Sequence, residues 1–165
     1  MRKRVVSITA AIGITAVGFA GLPRPTPVIV WNASASAPIG LYRVVPGTPQ
    51  RGDLVLVRTP RSIETLAGTR HYLPAGVLLV KHIAAGGGDR VCAAGGTIFI
   101  NGQPVVRQLD ADRAGRLLPR WTGCRALAQG EVFLLNMPEE SFDSRYFGPV
   151  PTANIIGRLV ALWTE

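Results

Sequence analysis

Eighteen successive positions, Val5 to Leu22, carry no charge, and the residues before them read Met1-Arg2-Lys3-Arg4. As a helix this run would extend about 27 Å, just short of a hydrocarbon core of ~30 Å. Pro23, Pro25 and Pro27 follow at once, which argues against a soluble helix running on into a domain. From Val28 the pattern changes to short apolar runs cut by turn residues. Asp53–Arg58, Val77–Ile83, Thr97–Ile100, Glu131–Leu135 and Ile155–Trp163 predict strands. Asn101-Gly102, between Thr97–Ile100 and Pro104–Arg107, is the strongest hairpin signal in the chain. Arg61–Arg70 is the one plausible short helix, starting near Ser62, and Asp110–Gly123 reads as a polar, Arg-rich excursion from the sheet. No internal repeat is visible. The pattern predicts a mainly β fold class, with one domain over residues 23–165 behind an N-terminal segment, residues 1–22.

Composition narrows this reading. A chain of 165 residues has room for one domain plus an anchor. With 47% hydrophobic and 17% charged residues it is not a disordered chain. Nineteen Gly and 13 Pro without a triplet period exclude collagen and fit a turn-rich β domain. The formal charge of +8 falls to +5 once Arg2, Lys3 and Arg4 are set aside, a remainder suited to an anionic membrane surface. The leading cations keep the start of the chain cytoplasmic, so the rest is exported. Two outcomes stay open for residues 1–22: an uncleaved membrane anchor, or a signal peptide cut at the small-x-small sequence Gly18-Phe19-Ala20. In an oxidising compartment Cys92 and Cys124 favour a disulfide. Closing a loop of that length stabilises by about 3–4 kcal/mol in the chain-entropy model.

Most familiar chemistries find no support. Two Cys and two His are too few for a zinc ribbon or an iron–sulfur centre, and no metal or organic cofactor is implied. Neither His71 nor His82 accompanies a nucleophile-elbow pattern. Gly86-Gly87-Gly88 precedes Asp89 rather than Lys-Ser/Thr, so it is no phosphate loop. The arginines are scattered without interleaved aromatics, so no nucleic-acid partner is expected.

One residue stands apart. Sixteen of the eighteen cations are Arg, and Lys81 is the sole lysine beyond Lys3, set within the apolar run Leu78-Leu-Val-Lys-His-Ile83. A guanidinium stays charged in proteins, whereas a desolvated lysine sheds its proton near neutral pH and serves as a base. At its ordinary pKa near 10.4 only about one molecule in 2,500 is neutral at pH 7. The residues alone leave two readings open, a catalytic base or a lysine that snorkels from a strand end. Upstream, Asn32-Ala-Ser34-Ala-Ser36-Ala-Pro38-Ile-Gly40-Leu-Tyr42 places a serine ahead of a proline and a glycine, a loop entering a strand.

Four blocks, in order, resemble the signal peptidase I family, membrane-anchored serine peptidases with a Ser–Lys dyad. The Ser36 segment is similar to the nucleophile block, and Arg51-Gly-Asp-Leu-Val-Leu-Val57 to the strand block after it. Val80-Lys-His-Ile-Ala-Ala-Gly-Gly-Gly-Asp-Arg-Val91 is similar to the lysine block, and Ser141-Phe-Asp-Ser-Arg-Tyr-Phe-Gly148 to the block that supports the lysine. The resemblance implies Ser36 as nucleophile and Lys81 as general base. It implies an oxyanion site from the Ser36 backbone N–H and the Ser34 hydroxyl, Ser141 orienting the lysine, and an Asp143–Arg145 ion pair supporting that loop.

Two departures mark the chain. Ala37-Pro38 stands where the general secretory enzymes place Met, and His82 and Gly87 replace the usual Arg and Pro. The Ser-x-Pro-x-Gly-Leu-Tyr form, single anchor and paired cysteines are more similar to the TraF-type conjugative transfer peptidases. Those enzymes mature the pilin of a conjugative pilus. The resemblance thus implies a coiled-β serine endopeptidase domain on the periplasmic face of a bacterial inner membrane. Its substrate would be an exported precursor or pilin polypeptide, with small residues at the first and third positions before the cut. Two other readings are a non-catalytic periplasmic pilus-assembly or scaffold protein that retains the fold, and a basic DNA-handling protein. Intact Ser36, Lys81 and Ser141 weigh against the first, and the missing aromatic–basic pattern weighs against the second.

Overall fold

The computed structural model describes residues 26–72, 74 and 76–165. The N-terminal segment 1–22 lies outside the described residues. Among the described residues no helix is long and apolar enough to cross a membrane.

Among the described residues, eleven strands form two antiparallel sheets. The larger takes the order β1 (Ile29–Asn32), β2 (Gly40–Val45), β11 (Ile155–Thr164), β3 (Leu54–Arg58), β4 (Leu78–Ala85), β9 (Glu131–Leu135) and β10 (Val150–Pro151). The smaller runs β7 (Gln103–Arg107), β6 (Thr97–Ile100), β5 (Arg90–Ala94), β8 (Gly123–Ala126). Helix α1 spans Arg61–Thr69 and the short α2 spans Ser144–Phe147. The mainly β expectation and all five predicted strands are present. The Asp110–Gly123 excursion leaves the small sheet after β7 and rejoins it at β8.

The strand residues explain the layering. Val55, Leu56 and Val57 are all fully buried, so the middle of β3 is covered on both faces. Val55 and Val57 pack with Leu79, Ile83, Val132 and Leu134 on one side, and Leu56 packs with Tyr42 and Leu159 on the other. A third cluster, with Ala85, Val91, Ile98, Ile100, Phe133 and Leu135, joins the two sheets. Register shifts at Ile83/Ala85 in β4, and at Ile155/Gly157 and Ala161/Trp163 in β11, interrupt the ladders. Bulges of this kind bend and twist the strands that carry them.

Asn101 and Gly102 both have positive φ, 51° and 82°, as a type I′ turn between Ile100 and Gln103 requires. Gly40 answers to a different constraint. A Cβ there would collide with the Trp163 carbonyl and crowd Thr164 at the end of β11. Only glycine lets β2 lie this close to β11, and β2 is the strand that the Ser36 loop enters.

Candidate active site

Alternation along β4 decides where Lys81 points. Leu79, Lys81, Ile83 and Ala85 share the buried face of the strand, while His82 is exposed. Lys81 pairs with Val55 of β3, so its side chain leaves the centre of the sheet and only 4% of it is exposed. Its Nζ donates to Ser141 Oγ at 2.7 Å, and Ser141 is itself 3% exposed. Burial pulls the Lys81 pKa down from 10.5 to about 8, with Arg145 pulling in the same direction and Asp143 opposing both. At that value roughly one molecule in eleven holds a neutral amine at pH 7, against one in several thousand for an exposed lysine.

Ser36 lies on the loop between β1 and β2, and Asn32 shapes that loop. The Asn32 Nδ2 group donates to the carbonyls of Ser34, Ala37 and Pro38 at 3.0, 3.1 and 2.9 Å, and its Oδ1 accepts from Ser34 N–H at 3.1 Å. The Tyr42 hydroxyl also donates to the Pro38 carbonyl, at 2.7 Å. Four backbone groups, three carbonyls and one N–H, are therefore gathered around one buried amide. Ser34 Oγ and Ser36 Oγ are 3.0 Å apart, and the Ser36 N–H points to Ser34 Oγ at 3.4 Å. These two donors sit side by side at the rim of the site.

Ser34, Ser36, Lys81 and Ser141 line one cavity of about 1010 Å³. Ser36 Oγ and Lys81 Nζ are not hydrogen-bonded to each other. The far wall comes from the excursion, with Asp112, Arg116 and Leu118, and from Arg70 and Tyr72 after α1. Tyr72 OH donates to Asp112 at 2.6 Å, and the Arg116 guanidinium bonds the same carboxylate while lying over the Tyr72 ring. Thus the polar excursion has a definite place: it walls the cavity.

Asp143 and Arg145 stand outside the cavity lining as a fully buried ion pair, Nε to Oδ1 2.8 Å. Asp143 also caps α2, accepting from Arg145 N–H at 3.1 Å. Cys92 and Cys124 form a disulfide between facing positions of β5 and β8, outside the cavity lining. Two residues of the site carry no signal in the sequence reading. One is Asn32, recognisable only as part of the serine block. The other is Asn136, just past β9, whose partners are remote in the chain.

A family model for signal peptidase, peptidase S26, matches residues 1–164. The chain belongs to the signal peptidase family. Among similar family members, the plasmid transfer protein TraF of Escherichia coli is 31% identical over 96% of this chain and 93% of its own length. A probable conjugal transfer protein TraF of Sinorhizobium fredii is 36% identical over 76% of this chain and 72% of its own. A signal peptidase I of Leptolyngbya laminosa is 26% identical over 68% of this chain and 51% of its own. A solved signal peptidase I of Enterococcus faecalis overlaps 70% of this chain and all of its own, with TM-score 0.43 and 22% identity. Within the family the chain groups with the TraF-type members, and its described domain is mainly β.

Proposed function

We propose that the chain is a serine endopeptidase that cuts exported precursor polypeptides through a Ser36–Lys81 dyad. The observation that carries the reading is a buried lysine with a lowered pKa, opening on the same cavity as a serine held in a stapled loop. Neutral Lys81 takes the Ser36 hydroxyl proton as Oγ attacks the scissile carbonyl. The Ser36 N–H and Ser34 hydroxyl take up the negative charge on the carbonyl oxygen. Lys81 then returns the proton to the leaving amine, and the acyl-enzyme forms. Water attacks next and gives a proton to Lys81, which passes it to Ser36 Oγ as the acyl–oxygen bond breaks, releasing the new carboxyl end and restoring both Ser36 and neutral Lys81. Ser141 holds the lysine in place between these steps. In the structure Lys81 bonds Ser141 rather than Ser36, and catalytic contacts commonly close only with substrate in place.

The names of the TraF relatives, plasmid and conjugal transfer proteins, support a precursor from a conjugative transfer system, and the pilin subunit is the candidate that the sequence resemblance implies. The membrane side is supported by an exposed apolar rim on β1 and β11. Val28, Ile29, Trp31, Val160, Leu162 and Trp163 are all exposed there, with the Trp31 and Trp163 rings stacked at 5.9 Å. An exposed apolar patch of this kind fits a lipid interface, and residues 1–22 would hold it to the periplasmic face of the inner membrane. The test is to incubate the purified full chain, in lipid vesicles, with candidate pilin precursor and weigh the products. Two fragments divided after a small-x-small sequence are expected. An intact precursor, bound but uncut, would favour the non-catalytic assembly protein instead.

A further inference from the structure

Asn136 is a buried polar residue with 2% exposure and no part in the dyad. Its amide orientation is fixed by what surrounds it. The Val80 carbonyl only accepts and the His82 backbone N–H only donates. The amide therefore turns Nδ2 to Val80 O, at 2.9 Å, and Oδ1 to His82 N–H, at 3.3 Å. So oriented, Nδ2 also reaches Ser36 Oγ, at 3.2 Å and one hundred residues away in sequence. The Asn136 backbone is clamped in turn. Its N–H donates to Asp143 Oδ2 at 3.1 Å, and its carbonyl accepts from the Arg145 guanidinium.

We propose that Asn136 is a positioning residue for the nucleophile: a donor, clamped by the Asp143–Arg145 pair and by the β4 backbone on either side of Lys81, that fixes Ser36 Oγ and turns its proton away. Nδ2–H occupies an acceptor position on Oγ, so the serine proton is directed elsewhere, to Ser34 or to the lysine. The same donor favours the oxygen as it gains negative charge. The inference gives the buried ion pair a role at the serine as well as at the lysine loop. Its catalytic meaning rests on the proposed peptidase reading, whereas the hydrogen bond itself does not.

A thiol in place of the nucleophile separates the two. Cys92 and Cys124 are bonded to each other, so in the full-length S36C protein the new thiol is the one free thiol, and its rate of iodoacetamide alkylation against pH gives its pKa. The titratable and charged groups that face Ser36 and Asn136 are Lys81 across the cavity, His82, whose ring Nδ1 lies 3.2 Å from Asn136 Oδ1, and the Asp143–Arg145 pair, and all four are kept in every variant. Adding N136A, or the similar-sized and uncharged N136L, should raise that pKa by about one unit or more. With Ser36 restored, N136A should lower kcat on a precursor peptide by about 10–100-fold, leaving KM within about twofold. Because N136A and N136L both strip partners from Val80 and His82, the S36A protein supplies a reading that does not depend on their folding. In S36A, the Asn136 side-chain NH2 signals should move in the 15N NMR spectrum. A thiol pKa unmoved in the folded Asn136 variants, or NH2 signals unmoved by S36A, overturns the proposal. If the pKa moves while the unmodified protein cuts no precursor, the positioning contact stands and the peptidase reading fails.

Discussion

Burying a charged lysine has a cost that pH should switch off, and replacing Lys81 by methionine isolates it. Methionine keeps an unbranched apolar stem and removes the ammonium. In the folded chain Lys81 loses its proton near pH 8, against 10.5 in the unfolded chain. Between those values the unfolded state binds more protons, so the stability of the wild type rises with pH there. Below about pH 8 both states hold the proton, and the full penalty of the buried charge is present. From pH 7 to pH 10 the wild type should therefore gain about 2.5 kcal/mol relative to K81M. All other titrating groups are common to the two proteins and cancel in the difference. The measurement is urea unfolding of both full-length proteins in the same detergent at pH 7, 8.5 and 10. K81M should be inactive at every pH, and its advantage at pH 7 should shrink as pH rises. In the wild type, kcat/KM should climb nearly tenfold per unit below pH 8 and level off above it. A stability difference that stays flat from pH 7 to 10 would refute the buried, depressed lysine.

Three further outcomes follow from the same geometry. Ser34→Ala removes one of the two proposed oxyanion donors and should lower kcat by about 10²–10³ with little change in stability, read by steady-state kinetics and thermal melting. Asp143→Asn leaves the fully buried Arg145 without its anion, and urea unfolding should show a loss of about 3–5 kcal/mol. Protein recovered from periplasm should show no thiol to alkylation without reductant. Removing the bridge in a Cys92→Ser, Cys124→Ser double variant should lower stability by about 2–4 kcal/mol, whereas free thiols in the native protein would reject the staple.

How far the sequence speaks depends on the range of the forces involved. Unbroken runs such as Leu54–Arg58 and Glu131–Leu135 show themselves because both faces of a central strand must be apolar. Strand β5, Arg-Val-Cys-Ala-Ala, has weak β propensity, and β8, Gly-Cys-Arg-Ala, is exposed along its length. Their pairing is set by neighbours and by the Cys92–Cys124 bridge, which no local pattern encodes. Helix α2 is four residues long and starts where Asp143 caps it, too short to leave a period. Lys81 is legible because a lone lysine in an apolar run is a local anomaly, and strand alternation then turns it inward. Ser36 is legible through its Pro38 and Gly40, and the crowding at Gly40 shows why that glycine is there. Asn136 is not, since it meets Val80, His82 and Ser36 from 54 to 100 residues away. The excursion's role as a cavity wall is hidden for the same reason: Tyr72 and Asp112 meet only in the fold.

The central claim, that Lys81 is the base for Ser36, has one decisive measurement: the rate of precursor cleavage by Lys81→Arg beside the wild type, followed by intact mass. Arginine keeps the positive charge and the reach but cannot give up its proton at any working pH. The account predicts two precursor fragments from the wild type and none from K81R. Cleavage by a folded K81R at a substantial fraction of the wild-type rate would contradict it.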